Sequence, residues 1–261
     1  MLIVYTVAVL AVTGLAFGAI LAYASRVFAV ETDPKVETIT QALPGANCGA
    51  CGYPGCSGYA QAVAAGKAAI GLCAPGGDAG AAKLAAIMGV EAVDLEEKVA
   101  HARCRGKECR ERFAYRGIEQ CLAAHQLGGA KACDWACLGY GDCVRACRFA
   151  ALVMGPDGLP EVKLEKCTGC GVCVSACPRG VLTLLPAQAQ FAVACGSGEE
   201  GRAVRKICPA GCIGCGLCVK ACPLGAIALA DNLAAIDYEK CDGCALCAEK
   251  CPTGAIVTKG Q

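Results

Sequence analysis

The sequence predicts an α+β chain in three parts: an apolar N-terminal helix, a small cysteine-rich domain, and two cysteine-rich units in tandem. Three observations carry that prediction. No charged side chain occurs before Arg26. Twenty-five of the 261 residues are cysteine. The cysteine pattern of the second half repeats at a nearly fixed offset, and repeats of that kind mark duplicated units.

The uncharged run Leu2–Ser25 holds 24 residues. As a helix it would reach about 36 Å, enough to cross a hydrocarbon layer of about 30 Å. A cleaved signal peptide would need a basic flank before a shorter apolar core, and no Lys or Arg precedes this run, although its Ala-Tyr-Ala-Ser end resembles a cleavage site. The run is read as a membrane anchor. Arg26 follows it directly, which puts the bulk of the chain on the cytoplasmic side of the inner (cytoplasmic) membrane, as a single-pass protein. Glu31 and Asp33 stand close by and weaken that charge signal. Exposed metal–sulfur chemistry in a reducing compartment points the same way.

Cysteines at this density form either disulfides or metal sites. Their odd number defeats complete pairing within the chain, and most sit in tight C-x2-C runs that converge more readily on a metal than on distant partners. With 34 glycines and 5% aromatics there is little material for one large apolar core, so thiolate–metal bonds are expected to contribute to folding. The 24 basic and 23 acidic residues leave a net charge of +1, which gives no support for nucleic-acid binding.

In the small domain Cys48, Cys51, Cys56 and Cys73 follow the pattern C-x2-C-x4-C-x16-C. Glycines 45, 49, 52 and 55 interleave with the first three, and an Ala-rich stretch from Ser57 to about Ala69 reads as a helix. Structural zinc usually takes two separated cysteine pairs, so this spacing favours a cubane iron–sulfur cluster over zinc.

The repeat follows. Cys133, Cys137, Cys143 and Cys147 recur 75 positions later as Cys208, Cys212, Cys218 and Cys222. Cys167 and Cys177 recur 74 positions later as Cys241 and Cys251. Three runs match the bacterial ferredoxin signature C-x2-C-x2-C-x3-C-P: Cys167-Cys170-Cys173-Cys177, Cys212-Cys215-Cys218-Cys222 and Cys241-Cys244-Cys247-Cys251, each followed by proline. The fold expected is therefore one transmembrane helix, a small [4Fe–4S] domain and two tandem ferredoxin-like units. The divisions are residues 1–30 (anchor), 31–92 (small domain), 93–132 (cysteine-containing connector), 133–190 (first unit) and 191–261 (second unit).

In such modules the fourth cysteine of each run crosses to the neighbouring cluster. That rule groups Cys212, Cys215, Cys218 with Cys251; Cys241, Cys244, Cys247 with Cys222; and Cys167, Cys170, Cys173 with Cys147. The remaining run is irregular, because Tyr140 stands where Cys215 stands in the second unit and Arg148 replaces the proline. Its spacing suggests Cys133 as the substitute, with Cys137, Cys143 and Cys177. That makes five clusters. Four of Cys104, Cys109, Cys121, Cys195 and Cys208 can hold a sixth, and a set of Cys104, Cys109, Cys121 and Cys133 is equally open.

Residues 103–116 carry six basic side chains, read as a solvated face in preference to a docking patch for an acidic partner. Trp135 is read as packing that shields a cluster from water. His101 and His125, the only histidines, are read as surface or packing residues, and no self-contained catalytic site is expected. No G-x-G-x-x-G follows a strand, which argues against NAD or flavin binding within the chain.

The segment LPGANCGACGYPGCSGYA behind one membrane helix, followed by ferredoxin repeats, resembles the B subunit of the Rnf complex in its long, cluster-rich form, over nearly the whole chain. The resemblance implies an electron-transfer part in a membrane ferredoxin:NAD+ oxidoreductase coupled to Na+ or H+ translocation. It implies soluble ferredoxin as donor and, as partners, the other Rnf membrane and flavin- or NAD-binding subunits. The family's ligands fall on Cys48, Cys51, Cys56, Cys73 and the ferredoxin runs, with Tyr140 and Arg148 as departures. Two other functions compete: a membrane polyferredoxin serving another respiratory or hydrogenase complex, and a corrinoid methyl-transfer protein, for which the repeats leave no room for a cobalamin domain.

Overall fold

The computed structural model describes residues 1–28, 33–92 and 94–260. Glu31, weighed above against Arg26, lies outside them, as do residue 30 at the first expected division and residue 93 at the second. Helix α1 (Leu2–Val27) has 26 residues, or about 39 Å of length. Its apolar side chains stand exposed on all faces, and its mean hydropathy of 2.2 with none of the span covered by protein is that of a membrane-crossing helix.

The small domain packs α2 (Pro34–Ala42), α3 (Gly55–Ala64) and α4 (Gly77–Met88) around Ile39, Leu43, Tyr59, Val63 and Leu84. Asp33 starts α2 by accepting from the Lys35 amide at 2.8 Å, with Pro34 in the first turn, where its missing N–H costs nothing. Helix α3 is shorter than the Ala-rich stretch suggested. Gly66 takes a left-handed conformation (φ +68°) and the Lys67 amide turns back to the Ala62 carbonyl, which closes the helix five residues early. The stretch beyond is then pinned by the Tyr59 hydroxyl, which donates to the Ala69 carbonyl at 2.6 Å.

The rest of the chain is one architecture used twice. The first unit runs β1 (Lys98–Ala102), α5 (Cys121–Gln126), α6 (Asp142–Ala146), the hairpin β2 (Leu152–Met154)–β3 (Pro160–Val162), α7 (Val172–Ser175) and β4 (Leu182–Pro186). The second runs β5 (Phe191–Val193), α8 (Gly201–Ile207), α9 (Leu217–Ala221), the hairpin β6 (Ile227–Ala230)–β7 (Leu233–Ile236), α10 (Leu246–Glu249) and β8 (Ile256–Thr258). In each, the first strand pairs antiparallel with the last: Ala102 faces Leu182, and Val193 faces Ile256. The 93–132 segment, expected as a connector, thus supplies a strand to the first unit.

Helices α6, α7, α9 and α10 each start directly after a residue in the left-handed region: Gly141, Gly171, Gly216 and, in the last run, Ala245 (φ +68°). Such a turn bends the chain sharply enough to bring the cysteines on either side of it round the same point. The cores of both units are built largely from the cysteines themselves and a few aliphatics, among them Leu152 and Leu182 in the first and Ile227 and Ile256 in the second.

Candidate metal centres

None of the 25 cysteines is in a disulfide. Among the described residues, no three His, Cys, Asp or Glu side chains are gathered closely enough to hold a single metal ion. Instead the thiols gather in groups, two of them around cavities. Cys73 stands with Cys48, Cys51 and Cys56, and burial, followed by the charges of those three thiolates, holds its pKa above the ordinary thiol value against the Gly76 amide. The loop is shaped by Asn47, whose side-chain oxygen accepts from the Cys56 amide at 2.8 Å. A Cβ on Gly55 would lie 2.8 Å from that oxygen.

In the first unit Cys173 stands beside Cys170, Cys167, Cys143 and Cys147, three of which the crossing rule groups with it. Its mate differs from expectation. Cys121, at the first turn of α5, joins Cys137, Cys143 and Cys177 around one cavity, and Cys133 is absent from it. Tyr140 meanwhile turns toward Tyr115, with ring centroids 5.4 Å apart. The thiol lost to Tyr140 is thus replaced from a different element. Cys133 faces another cavity together with Cys104, Cys109, Cys195 and Cys208. Trp135 lines that cavity, in keeping with a shielding role. In the second unit Cys218 stands beside Cys212 and Cys215, and Cys247 beside Cys241 and Cys244. Cys222 and Cys251 pack against the same core.

The chemistry of these donor sets fits an iron–sulfur core. Burial above all pushes Cys137 and Cys173 up to about 12 and Cys143 up to about 11, so the free thiols keep their protons and lose them to solvent when a positively charged core takes the sulfur as ligand. Backbone amides are aimed at the sulfurs in a repeating way. The thiol ending each of the three complete runs accepts from the amide four residues on: Cys177 from Val181 (3.3 Å), Cys222 from Ala226 (3.3 Å) and Cys251 from Ala255 (3.2 Å). Cys167 also accepts from the Ala100 amide of β1 at 3.3 Å. Amide bonds of this kind favour thiolate and set cluster potentials.

One buried cation, Arg179, has no carboxylate partner among the described residues. Arg179 is buried and lines the Cys121–Cys137–Cys143–Cys177 cavity. Its Nη1 donates to the Cys133 carbonyl at 2.7 Å and Nη2 to the Gly128 carbonyl, while Nε has no partner among the described residues. Sequence reasoning missed it. The signal was a charged residue directly after Cys177-Pro178, where the other runs have Leu224 and Thr253.

His101 is buried, not superficial. Burial lowers its pKa to about 4, partly offset by a hydrogen bond with the Val193 backbone, and its Nε2 has no partner among the described residues. His125 is exposed, as read. Within the basic stretch Arg105 donates to the Gly254 carbonyl, Lys107 pairs with Asp157 and Arg112 with Asp134, so half of the six cations are engaged within the chain.

Comparison with known proteins agrees with this layout. Residues 43–75 match the family model "Putative Fe-S cluster", and residues 132–181, 166–226 and 211–255 match the 4Fe-4S dicluster domain. The chain is 46% identical over 241 residues to the B subunit of the Na(+)-translocating ferredoxin:NAD(+) oxidoreductase complex of Acetobacterium woodii, covering 91% of this chain and 72% of that protein. It is 46% identical over 240 residues to the proton-translocating counterpart of Clostridium ljungdahlii, covering 90% and 84%. The B subunit of the ion-translocating oxidoreductase complex of Methanosarcina acetivorans is 42% identical over 241 residues, covering 91% of each. With thiol-lined sites, dicluster domains and this breadth of identity together, the chain belongs to the B-subunit family of the Rnf ion-translocating oxidoreductase complexes.

Proposed function

We propose that the chain is the electron-transfer subunit of a membrane ion-translocating oxidoreductase, accepting electrons from reduced ferredoxin on behalf of partner subunits that reduce NAD+ and move Na+ or H+. The observation that carries this reading is the division of the cysteines into separate thiol-lined sites, in a chain with near-complete coverage by B-subunit relatives. Helix α1 anchors the chain, and Arg26 at its end favours the cytoplasmic side for the bulk, where soluble ferredoxin is met.

The residues that hold [4Fe–4S] clusters are Cys48, Cys51, Cys56 and Cys73; Cys147, Cys167, Cys170 and Cys173; Cys121, Cys137, Cys143 and Cys177; Cys212, Cys215, Cys218 and Cys251; and Cys222, Cys241, Cys244 and Cys247. Bound there, such clusters supply one-electron transfer at potentials set by their surroundings. The chain contributes the surroundings. Buried thiols exclude water, the amides of Val181, Ala226 and Ala255 stabilise negative charge on sulfur, and Arg179 places a fixed positive charge at one site. No proton donor or nucleophile is required of the polypeptide.

The test is ferredoxin oxidation by membranes in the presence of NAD+. Membranes from a strain carrying Cys218→Ala should oxidise reduced ferredoxin far more slowly than wild type. Equal rates from wild-type membranes, from the variant and from membranes lacking the chain altogether would refute the assignment.

A further inference from the structure

Five thiols face the cavity at the junction of the two units, one more than a cubane takes. The duplicated architecture separates them. In the first unit the Arg103 amide, just past β1, donates to the Val181 carbonyl at 2.7 Å. In the second the Ala194 amide, just past β5, donates to the Ala255 carbonyl at 2.8 Å. Val181 and Ala255 each lie four residues after the last cysteine of their run. This register makes Arg103 the counterpart of Ala194, and therefore Cys104 the counterpart of Cys195. The Ala136 amide donates to the Cys133 carbonyl and the Gly211 amide to the Cys208 carbonyl, which makes Cys133 the counterpart of Cys208.

The amides around the sulfurs repeat in the same way. Cys104 Sγ accepts from the Gly106 and Cys137 amides, both at 3.4 Å. The Cys195 thiol meets the backbone of Ser197 and Cys212, the equivalent positions. Cys133 meets the backbone of Trp135, and Cys208 that of Ala210, again two residues on. Cys109 has no counterpart: no cysteine lies between Cys195 and Cys208. Its sulfur lies 3.7 Å from its neighbour's carbonyl, Arg110 O, and also meets the Cys208 thiol and the backbone of Cys133 and Ala132, so it is the absence of a repeat partner that sets it apart.

We propose that Cys104, Cys133, Cys195 and Cys208, two from each unit in a two-fold arrangement, hold a further [4Fe–4S] cluster shared between the units, and that Cys109 is a fifth thiol beside it that does not ligate. The assignment rests on the reading that the other thiol-lined sites hold clusters. It places this site in direct contact with both neighbours, because Cys137 and Cys212, ligands of the adjoining sites, lend their amides to Cys104 and Cys195.

The experiment is iron, acid-labile sulfide and zinc analysis with EPR of the full chain purified without oxygen. Wild type should hold about 24 iron atoms, from four per cluster. Cys109→Ala should keep all of them. Cys104→Ala and Cys195→Ala should each fall by about four, with one reduced-state EPR signal lost and the rest retained. A wild-type content of about 20 iron, one zinc in place of four iron, or a loss of about four iron in Cys109→Ala would overturn the proposal. If the Cys195 variant does not accumulate, the Cys109 variant still decides. Wild type free of iron would instead sink the underlying reading.

Discussion

Arg179 offers a sharp test of how the fold sets the properties of one centre. Its guanidinium is buried against a cavity ringed by four thiols and has no carboxylate to neutralise it among the described residues. An unpaired buried charge costs several kcal/mol, so its counter-charge must come from the thiolate-bound centre. A unit charge at cavity dimensions, on the order of 5–10 Å, interacts with about 2–3 kcal/mol at an effective dielectric constant near 20. For one electron that corresponds to a shift of about 90–130 mV. Replacing Arg179 by Gln removes the positive charge that favours the reduced, more negative state. The potential of that centre alone should fall by about that amount, while Arg179→Lys should restore part of it. The assay is an EPR-monitored redox titration of the full chain. An unchanged or raised potential in Arg179→Gln, with the other signals intact, would refute the argument.

Cys121→Ala should cost about four iron atoms per chain, and adding Tyr140→Cys in the same chain should recover them, since Tyr140 occupies the position of a regular ligand. Iron analysis of the single and double variants decides. Gly169 sits at φ +63° where a Cβ would lie 2.2 Å from the Lys98 carbonyl oxygen, whereas Gly225, at φ +61°, has nothing within 4 Å of its Cβ position. Gly169→Ala should therefore lose about 2–4 kcal/mol and Gly225→Ala only about 1, read as thermal loss of cluster absorbance. His101 has a folded pKa of about 4 against an ordinary 6.5, so the folded state binds fewer protons between those values. Its contribution is complete above about pH 6.5 and is lost as the pH falls toward 4, a difference of about 3 kcal/mol that His101→Gln should abolish in parallel stability–pH curves.

What the sequence made legible was whatever is local. The three runs ending in proline place their ligands within eleven residues, so spacing alone identifies them, and the uncharged N-terminal helix is equally plain. Long-range closure was not legible. Cys121 replaces the thiol missing at Tyr140 by reaching in from α5, and linear spacing pointed to the nearer Cys133 instead. Strand β1 reads as part of a connector because its burial is nearly continuous and its partner β4 lies some eighty residues on. The insertion that carries α5 also changes the repeat offset from 75 to 91, which hides the equivalence of Cys104 and Cys195 until the strands are paired. Arg179 escaped notice for a related reason: its acceptors, the Gly128 and Cys133 carbonyls, come from a segment some fifty residues earlier.

Electron transfer by this chain depends on thiolates holding iron–sulfide cores. Parallel determination of iron, acid-labile sulfide and zinc on the anaerobically purified chain tests it most directly. The prediction is iron and sulfide in equal amounts, at least about 20 of each per chain, with no stoichiometric zinc. A folded, colourless chain that holds zinc or no metal would contradict it.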